Sequence, residues 1–184
     1  MDGRKTVAEI NTDISKLIND NQLGIKLDVG CGFNKQDGYV GLDIRPIEGV
    51  VDIVHDAETA PYPLPDECCG VILASHLVEH ICPKKFMGVM NEWWRLLKEG
   101  GQLLVSCPYG RSDGFLQDPT HCNMLNEATM TYFDPDQFLY SIYKPKPWKI
   151  VQNVWMANGN MEIILEKRNL DYKAEGLDDG LSKK

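Results

Sequence analysis

The stretch Leu27–Ile44, LDVGCGFNKQDGYVGLDI, decides how this chain folds. It reads as an apolar strand, a glycine turn and a second apolar strand. Glycines at such a turn let the backbone approach a ligand closely and expose amide N–H groups toward it. Only fifteen positions separate Asp28 from Asp43. Neighbouring parallel strands normally need a dozen or more residues of crossover, usually a helix. No helix fits here, so the link must be an extended loop, and the ligand of the turn must do without a helix dipole.

The pattern continues outward from this unit. Thr6 to Asp20 places Val7, Ile10, Ile14, Leu17 and Ile18 at helical spacing, which predicts an opening amphipathic helix. Strands are predicted at Ile25–Val29, Tyr39–Ile44, Val50–Val54, Gly70–Ser75 and Gly101–Pro108. The fourth is apolar throughout, as a strand buried on both faces should be. Pro83 opens a helix carrying Phe86, Met90, Trp93, Trp94 and Leu97, and Gly100-Gly101 is expected to stop it. Asp134, followed by Pro135 and Gln137, predicts a capped second helix. Trp148–Ala157 and Met161–Arg168 flank Asn158-Gly159, a two-residue hairpin signal. Strands joined by short links, with a closing hairpin, give a mostly parallel sheet. One face of it is expected to be thinly covered, leaving room for a homodimer or a partner protein. Residues 1–184 are read as one domain, with about 1–5 and 169–184 frayed.

Composition excludes several classes. Apolar residues make up 43% of the 184, enough for a sizeable core, and the net charge is −8. That charge repels phosphate backbones and argues against nucleic acid as a partner. No apolar run is long enough to cross a bilayer, and the N-terminus lacks the apolar core of a secretion signal. The six cysteines include no C-x-x-C pair. A cytoplasmic protein with reduced thiols and no metal is the expectation.

The loop chemistry narrows the ligand. Asp43 ends the second strand, where a carboxylate can accept both hydroxyls of a ribose. A nicotinamide dinucleotide would need a third glycine and a helix N-terminus for its pyrophosphate. After Gly32 the chain reads Phe33, Asn34, Lys35 and Gln36 instead. S-adenosylmethionine carries no phosphate and needs only a ribose acceptor, an adenine slot and a place for its amino-acid end.

Four segments in order, LDVGCG, GLDI, HDAETAPYPLPDECCGVILASHLVEH and EWWRLLKEGGQLLVSCP, resemble class I S-adenosylmethionine-dependent methyltransferases, within the small methyltransferase-domain group. The resemblance runs from about Ile25 to Pro108. It implies an α/β, Rossmann-like fold: a mostly parallel seven-stranded sheet with a C-terminal antiparallel hairpin. It also implies S-adenosylmethionine as cofactor, held by Asp28, Gly30, Cys31 and Gly32 of the first motif, with Asn34 where the family has a third glycine. Asp43 matches the ribose acid, Ile44 the adenine contact, and Asp56-Ala57 the pair near the adenine amino group. Ser75 and His76 fall at the methionine and substrate end.

Plain readings compete at each point. Gly30 and Gly32 could form an ordinary tight turn, Asp43 could cap a loop, and Cys31 reads as a packing residue. His76–His80, HLVEH, spells an inverted zinc-hydrolase motif using His76, Glu79 and His80. The competing reading of Glu79 and His80 is a surface acid beside a packed histidine. Asp118–His121, DPTH, is good turn chemistry. It lies in Tyr109–Phe133, a long irregular stretch of the kind that forms acceptor pockets and lids, with Gly110 and Gly114 as hinges. Candidates for a catalytic base are His121, Asp118 and His76, since an imidazole titrates near neutrality. The expected acceptor is a small molecule or other non-nucleic-acid nucleophile. A non-catalytic module that binds cofactor or a partner is the second reading.

Overall fold

The computed structural model describes Ser15, Lys16, Ile18 and residues 23–174. The predicted helix over Thr6–Asp20 therefore lies almost entirely outside the described residues. The three that are described are helical, and Ile18 packs against the core. The predicted fraying at both ends lies outside them as well, apart from 169–174.

Strands β1 (Ile25–Val29), β2 (Val40–Asp43), β3 (Ile53–Val54), β4 (Cys69–Ser75), β5 (Leu97–Pro108), β6 (Trp148–Trp155) and β7 (Asn160–Lys167) form one sheet in the order β3-β2-β1-β4-β5-β7-β6. The first five are parallel, and β7 runs antiparallel to both β5 and β6. The architecture is the expected α/β one, a Rossmann-like sheet with a C-terminal antiparallel hairpin. No helix stands among residues 30–39 or 44–52, in the links after β1 and β2.

Side chains alternate between faces along each strand. In register, Val40, Leu27, Ile72, Leu103 and Leu165 form one apolar row across five strands, and each is buried. Helix α1 (Pro83–Leu96) completes this core with Phe86, Val89, Met90, Trp93 and Leu96, all at helical spacing. The adjacent row on the other face reads Gly41, Asp28, Leu73, Leu104 and Ile164. There Leu73, Leu104 and Ile164 are only half-buried, so among the described residues this face is the thinner one.

Several boundaries differ from the sequence reading. Helix α1 stops at Leu96, and the chain enters β5 at once, Leu97 having extended geometry (φ −73°, ψ 143°). Leu97 is core, but as part of the strand, and Trp94 is half-buried, donating from its indole to the Pro147 carbonyl at 3.0 Å. Gly100 (φ +71°) lies within β5, where the register with β4 shifts between Cys69 and Val71, rather than capping α1. Asp134 opens no helix. It is buried, and its carboxylate accepts the Asp136 and Ile150 amides, tying the segment to β6. Among the described residues the only helical turn downstream is α3 (Tyr140–Tyr143); α2 is the short Asp113–Leu116. The hairpin closes through a three-residue loop, because the Met156 amide donates to the Asn160 carbonyl and Gly159 (φ +90°) closes on Met156.

Candidate active site

The helix-free glycine loop is held by carboxylates. Gly30 (φ +71°) and Gly32 (φ +53°) turn the chain out of β1. Asp28 accepts the Gln36 amide at 2.9 Å. Asp43, one strand over, accepts the Gly32 amide at 2.9 Å. Asp52 takes the Gly41 amide at 2.7 Å and the Lys35 ammonium at 2.8 Å. Two of these amides, Gly32 and Gln36, lie in the link itself and are taken by acids of the flanking strands; the third, Gly41, lies in β2. Asp52 was missed in the sequence, since nothing in VVDIV marks it as a loop anchor.

The three acids sit in different fields. Burial raises the Asp28 carboxyl above its ordinary value, against the Gln36 amide and the Lys35 charge. Burial also acts on Asp43, but the Arg45 guanidinium and the Arg45 and Gly32 amides outweigh it and hold that carboxyl below the usual range. Burial, then the charges of Asp28 and Asp43, push the Cys31 thiol up to about 11. Cys31 is thus a protonated packing residue at neutral pH, not a nucleophile.

Asp43 is an anchor in two directions. One oxygen serves Gly32; the other accepts the Arg45 amide at 2.9 Å and the Arg45 Nε at 3.0 Å. Ribose hydroxyls would have to take the place of the Arg45 side chain, which is itself largely exposed and free to swing away. Its guanidinium also lies over the Phe33 ring. Ile44 follows and is 63% exposed, an open apolar surface beside Asp43. The His55 amide donates to the Asp43 carbonyl, bringing Asp56-Ala57 to the same strand ends. There the Asp56 carboxylate caps a turn through the Glu58 amide and the Thr59 hydroxyl. Ser75 ends β4, the neighbour of β1 on the other side, and is exposed. The nine proposed cofactor residues thus lie around the carboxyl ends of β1 to β4, where open parallel sheets bind ligands. A nucleoside with no phosphate fits this ring: it offers a buried anion for hydroxyls and an apolar shelf, and no helix N-terminus.

Beyond Ser75 the structure joins two stretches that the sequence keeps forty residues apart. His76 takes a positive φ of 51°, and Val78–His80 form a single 3-10 turn. Cys122 and Asn123 both donate their amides to the Glu79 carbonyl, and the Asn123 side chain donates to the Val78 carbonyl at 3.0 Å. This pins Asp118–Asn123 onto the turn. The His80 and His121 rings then meet edge to face at 4.7 Å. His121 Nδ1 is 2.9 Å from the Phe115 carbonyl. Asp118 lies 3.8 Å from His121 Nε2 and spends its other oxygen on Thr120.

The expectations for HLVEH need two corrections. His76 and His80 do not share a helical face, because the segment is one tight turn entered through a left-handed residue. Glu79 is no surface acid: it is fully buried, while His80 is exposed. Gly110 is not a free hinge either. Its amide donates to the Leu125 carbonyl, and a Cβ there would lie 2.9 Å from that oxygen. Phe115, Leu125, Met130 and Phe133 bury their side chains, so much of Tyr109–Phe133 is part of the packed body.

Comparison with known proteins agrees with the geometry. The methyltransferase-domain family matches residues 27–105. The tRNA N(3)-cytidine methyltransferase METTL2 of Gallus gallus is 39% identical over 62 residues, which are 33% of this chain and only 16% of that protein. A SAM dependent methyltransferase from Archaeoglobus fulgidus superposes with a TM-score of 0.58 at 19% identity, covering 86% of this chain and 94% of that one. A chain from the complex between the Haloferax volcanii Trm112 methyltransferase activator and a methyltransferase gives 0.57 at 10% identity, covering 84% and 88%.

Proposed function

We infer that this chain, a class I S-adenosylmethionine-dependent methyltransferase, methylates a small, non-nucleic-acid acceptor and that His76 takes the acceptor's proton. When bound, S-adenosylmethionine supplies an electrophilic methyl group on a sulfonium. Asp43 holds the ribose, Gly30 and Gly32 admit the amino-acid end against the backbone, and Ile44 with Asp56-Ala57 frames the adenine. These are positioning roles, and positioning with exclusion of water is most of what methyl transfer requires.

One observation carries the base assignment. His76 stands directly after β4, its side chain 57% exposed, with Nδ1 3.3 Å from the buried Glu79 carboxylate. The imidazole is therefore open to an acceptor at the end of β4, with a buried carboxylate beside it. His121 is worse placed: its side chain is 8% exposed and its Nδ1 is committed to Phe115. Asp118 is engaged by Thr120. The acceptor assignment rests on the net charge of −8, which disfavours a polyphosphate chain.

A tRNA acceptor is the second reading, favoured by the METTL2 likeness. An activating protein on the half-covered sheet face would suit the kinship with a chain from a Trm112 complex. The deciding experiment measures S-adenosylhomocysteine release against separate pools of metabolites, proteins and tRNA. Turnover on tRNA alone rejects the small-molecule reading. On the acceptor so found, His76→Ala should lower turnover by roughly 10²–10⁴ with cofactor affinity unchanged. Unaltered turnover removes His76 from the chemistry.

A further inference from the structure

The feature left unused by this chemistry is the far side of the Glu79 carboxylate. Glu79 has no exposed surface, and neither of its oxygens has a hydrogen-bond partner. The one approach, His76 Nδ1 at 3.3 Å, lacks hydrogen-bond geometry and is an ion pair only if that ring is protonated. A buried carboxylate without partners is costly, and native proteins normally pair such groups or give them a metal.

Glu79, His80 and His121 each offer a ligand atom, and these atoms lie within 4.8 Å of one another. The hydrogen bonds around the two rings define which nitrogen is free. His121 Nδ1 donates to the Phe115 carbonyl at 2.9 Å, which leaves the lone pair on Nε2. His80 Nδ1 is 3.1 Å from the Thr120 hydroxyl, whose own proton goes to Asp118 at 2.7 Å. That hydroxyl must then accept from His80, and the His80 lone pair is on Nε2 as well. Outer partners of this kind fix the tautomer of metal-bound histidines. Two neutral imidazoles and one carboxylate match the three-ligand set of open zinc sites. Ligands about 2 Å from a tetrahedral ion stand about 3.3 Å apart. The group must therefore contract by at most about 1.5 Å, which small side-chain rotations shared among the three residues can supply.

We infer that Glu79, His80 and His121 together hold one divalent transition-metal ion, of which zinc fits best, with a position left open on the solvent side. His76 is not a ligand. The set thus differs from the His76, Glu79 and His80 reading of the sequence motif, and the ion staples Asp118–Asn123 to the turn after β4. Asp118, bonded to Thr120 and 3.8 Å from His121 Nε2, belongs to the outer partners.

The test uses the full chain, stripped with chelator and titrated with Co²⁺, whose ligand-field absorption reports nitrogen and oxygen ligation without any methyl transfer. Zn²⁺ is then added in competition. One equivalent should bind. Glu79→Gln and His121→Ala should each weaken binding at least about a hundredfold, and His76→Ala should leave it within about threefold. His80→Ala, at an exposed site, serves if the buried variants fail to fold, and should weaken binding comparably. Absence of saturable binding overturns the site. So does a loss on His76→Ala with none on His121→Ala.

Discussion

The two halves of the strand-end crevice are built in opposite ways. Around the glycine loop three acids are engaged: Asp28, Asp43 and Asp52 each take backbone amides, and Arg45 closes the remaining side of Asp43. Around the histidine cluster a fully buried acid is left without a hydrogen bond. The first half is a finished cradle whose hydrogen bonds are already made. The second holds a carboxyl group without hydrogen bonds against neighbours brought from a distant loop. Preorganisation favours tight, uniform cofactor binding. An unpaired buried group favours a partner that satisfies it.

The sharpest way to break this contrast is Asp43→Ala. It removes the proposed ribose acceptor and the Gly32 anchor together, at roughly 1.5–3 kcal/mol for each charge-assisted hydrogen bond. Calorimetry should show S-adenosylmethionine affinity reduced about a hundredfold or more. A reduction below tenfold would mean that the cradle is not organised by this acid. Next comes Gly30→Ala. The added Cβ sits at φ +71° and 2.8 Å from the Leu77 side chain, where the loop touches the segment after β4. Left-handed strain of about 1–2 kcal/mol predicts a five- to thirtyfold loss of cofactor affinity and a lower melting temperature. A thermal shift with no affinity change would make Gly30 structural only.

Arg45→Ala tests whether the closed cradle is closed against its own ligand. If the guanidinium occupies the ribose position, removing it should tighten cofactor binding a few-fold. Weaker binding would instead make Arg45 a cofactor contact. The smallest effect sharpens the comparison most. Glu79→Gln should leave cofactor affinity within about twofold while turnover falls. A loss of cofactor affinity like that of Asp43→Ala would show that the two halves are one site.

Legibility followed the range of the interactions. The glycine loop and Asp43 lie within twenty residues of each other, and each strand is a short local run, so local pattern was enough to place them. The absence of a helix after β1 was readable because fifteen positions cannot hold one. How the loop stands without that helix was not, since Asp52 acts from the bend before β3. Boundaries failed where a tertiary bond outranks a local signal. Asp134 has the letters of a helix cap but spends its carboxylate on β6. Gly100-Gly101 has the letters of a helix stop but follows an α1 that has already ended in strand geometry.

The sequence by itself determined the sheet, its short crossovers and the acid at the tip of β2, because these depend on period, length and residues near in the chain. Only the tertiary structure decided which histidines meet. HLVEH suggested His76 with His80 from their spacing on a helix. The chain instead makes a tight 3-10 turn there, and the amides of Cys122 and Asn123 dock on the Glu79 carbonyl. That docking sets His121 beside His80 and buries Glu79 between distant segments. The physical reason is that a contact across some forty residues is fixed by packing and backbone hydrogen bonds, which leave no local pattern in the letters.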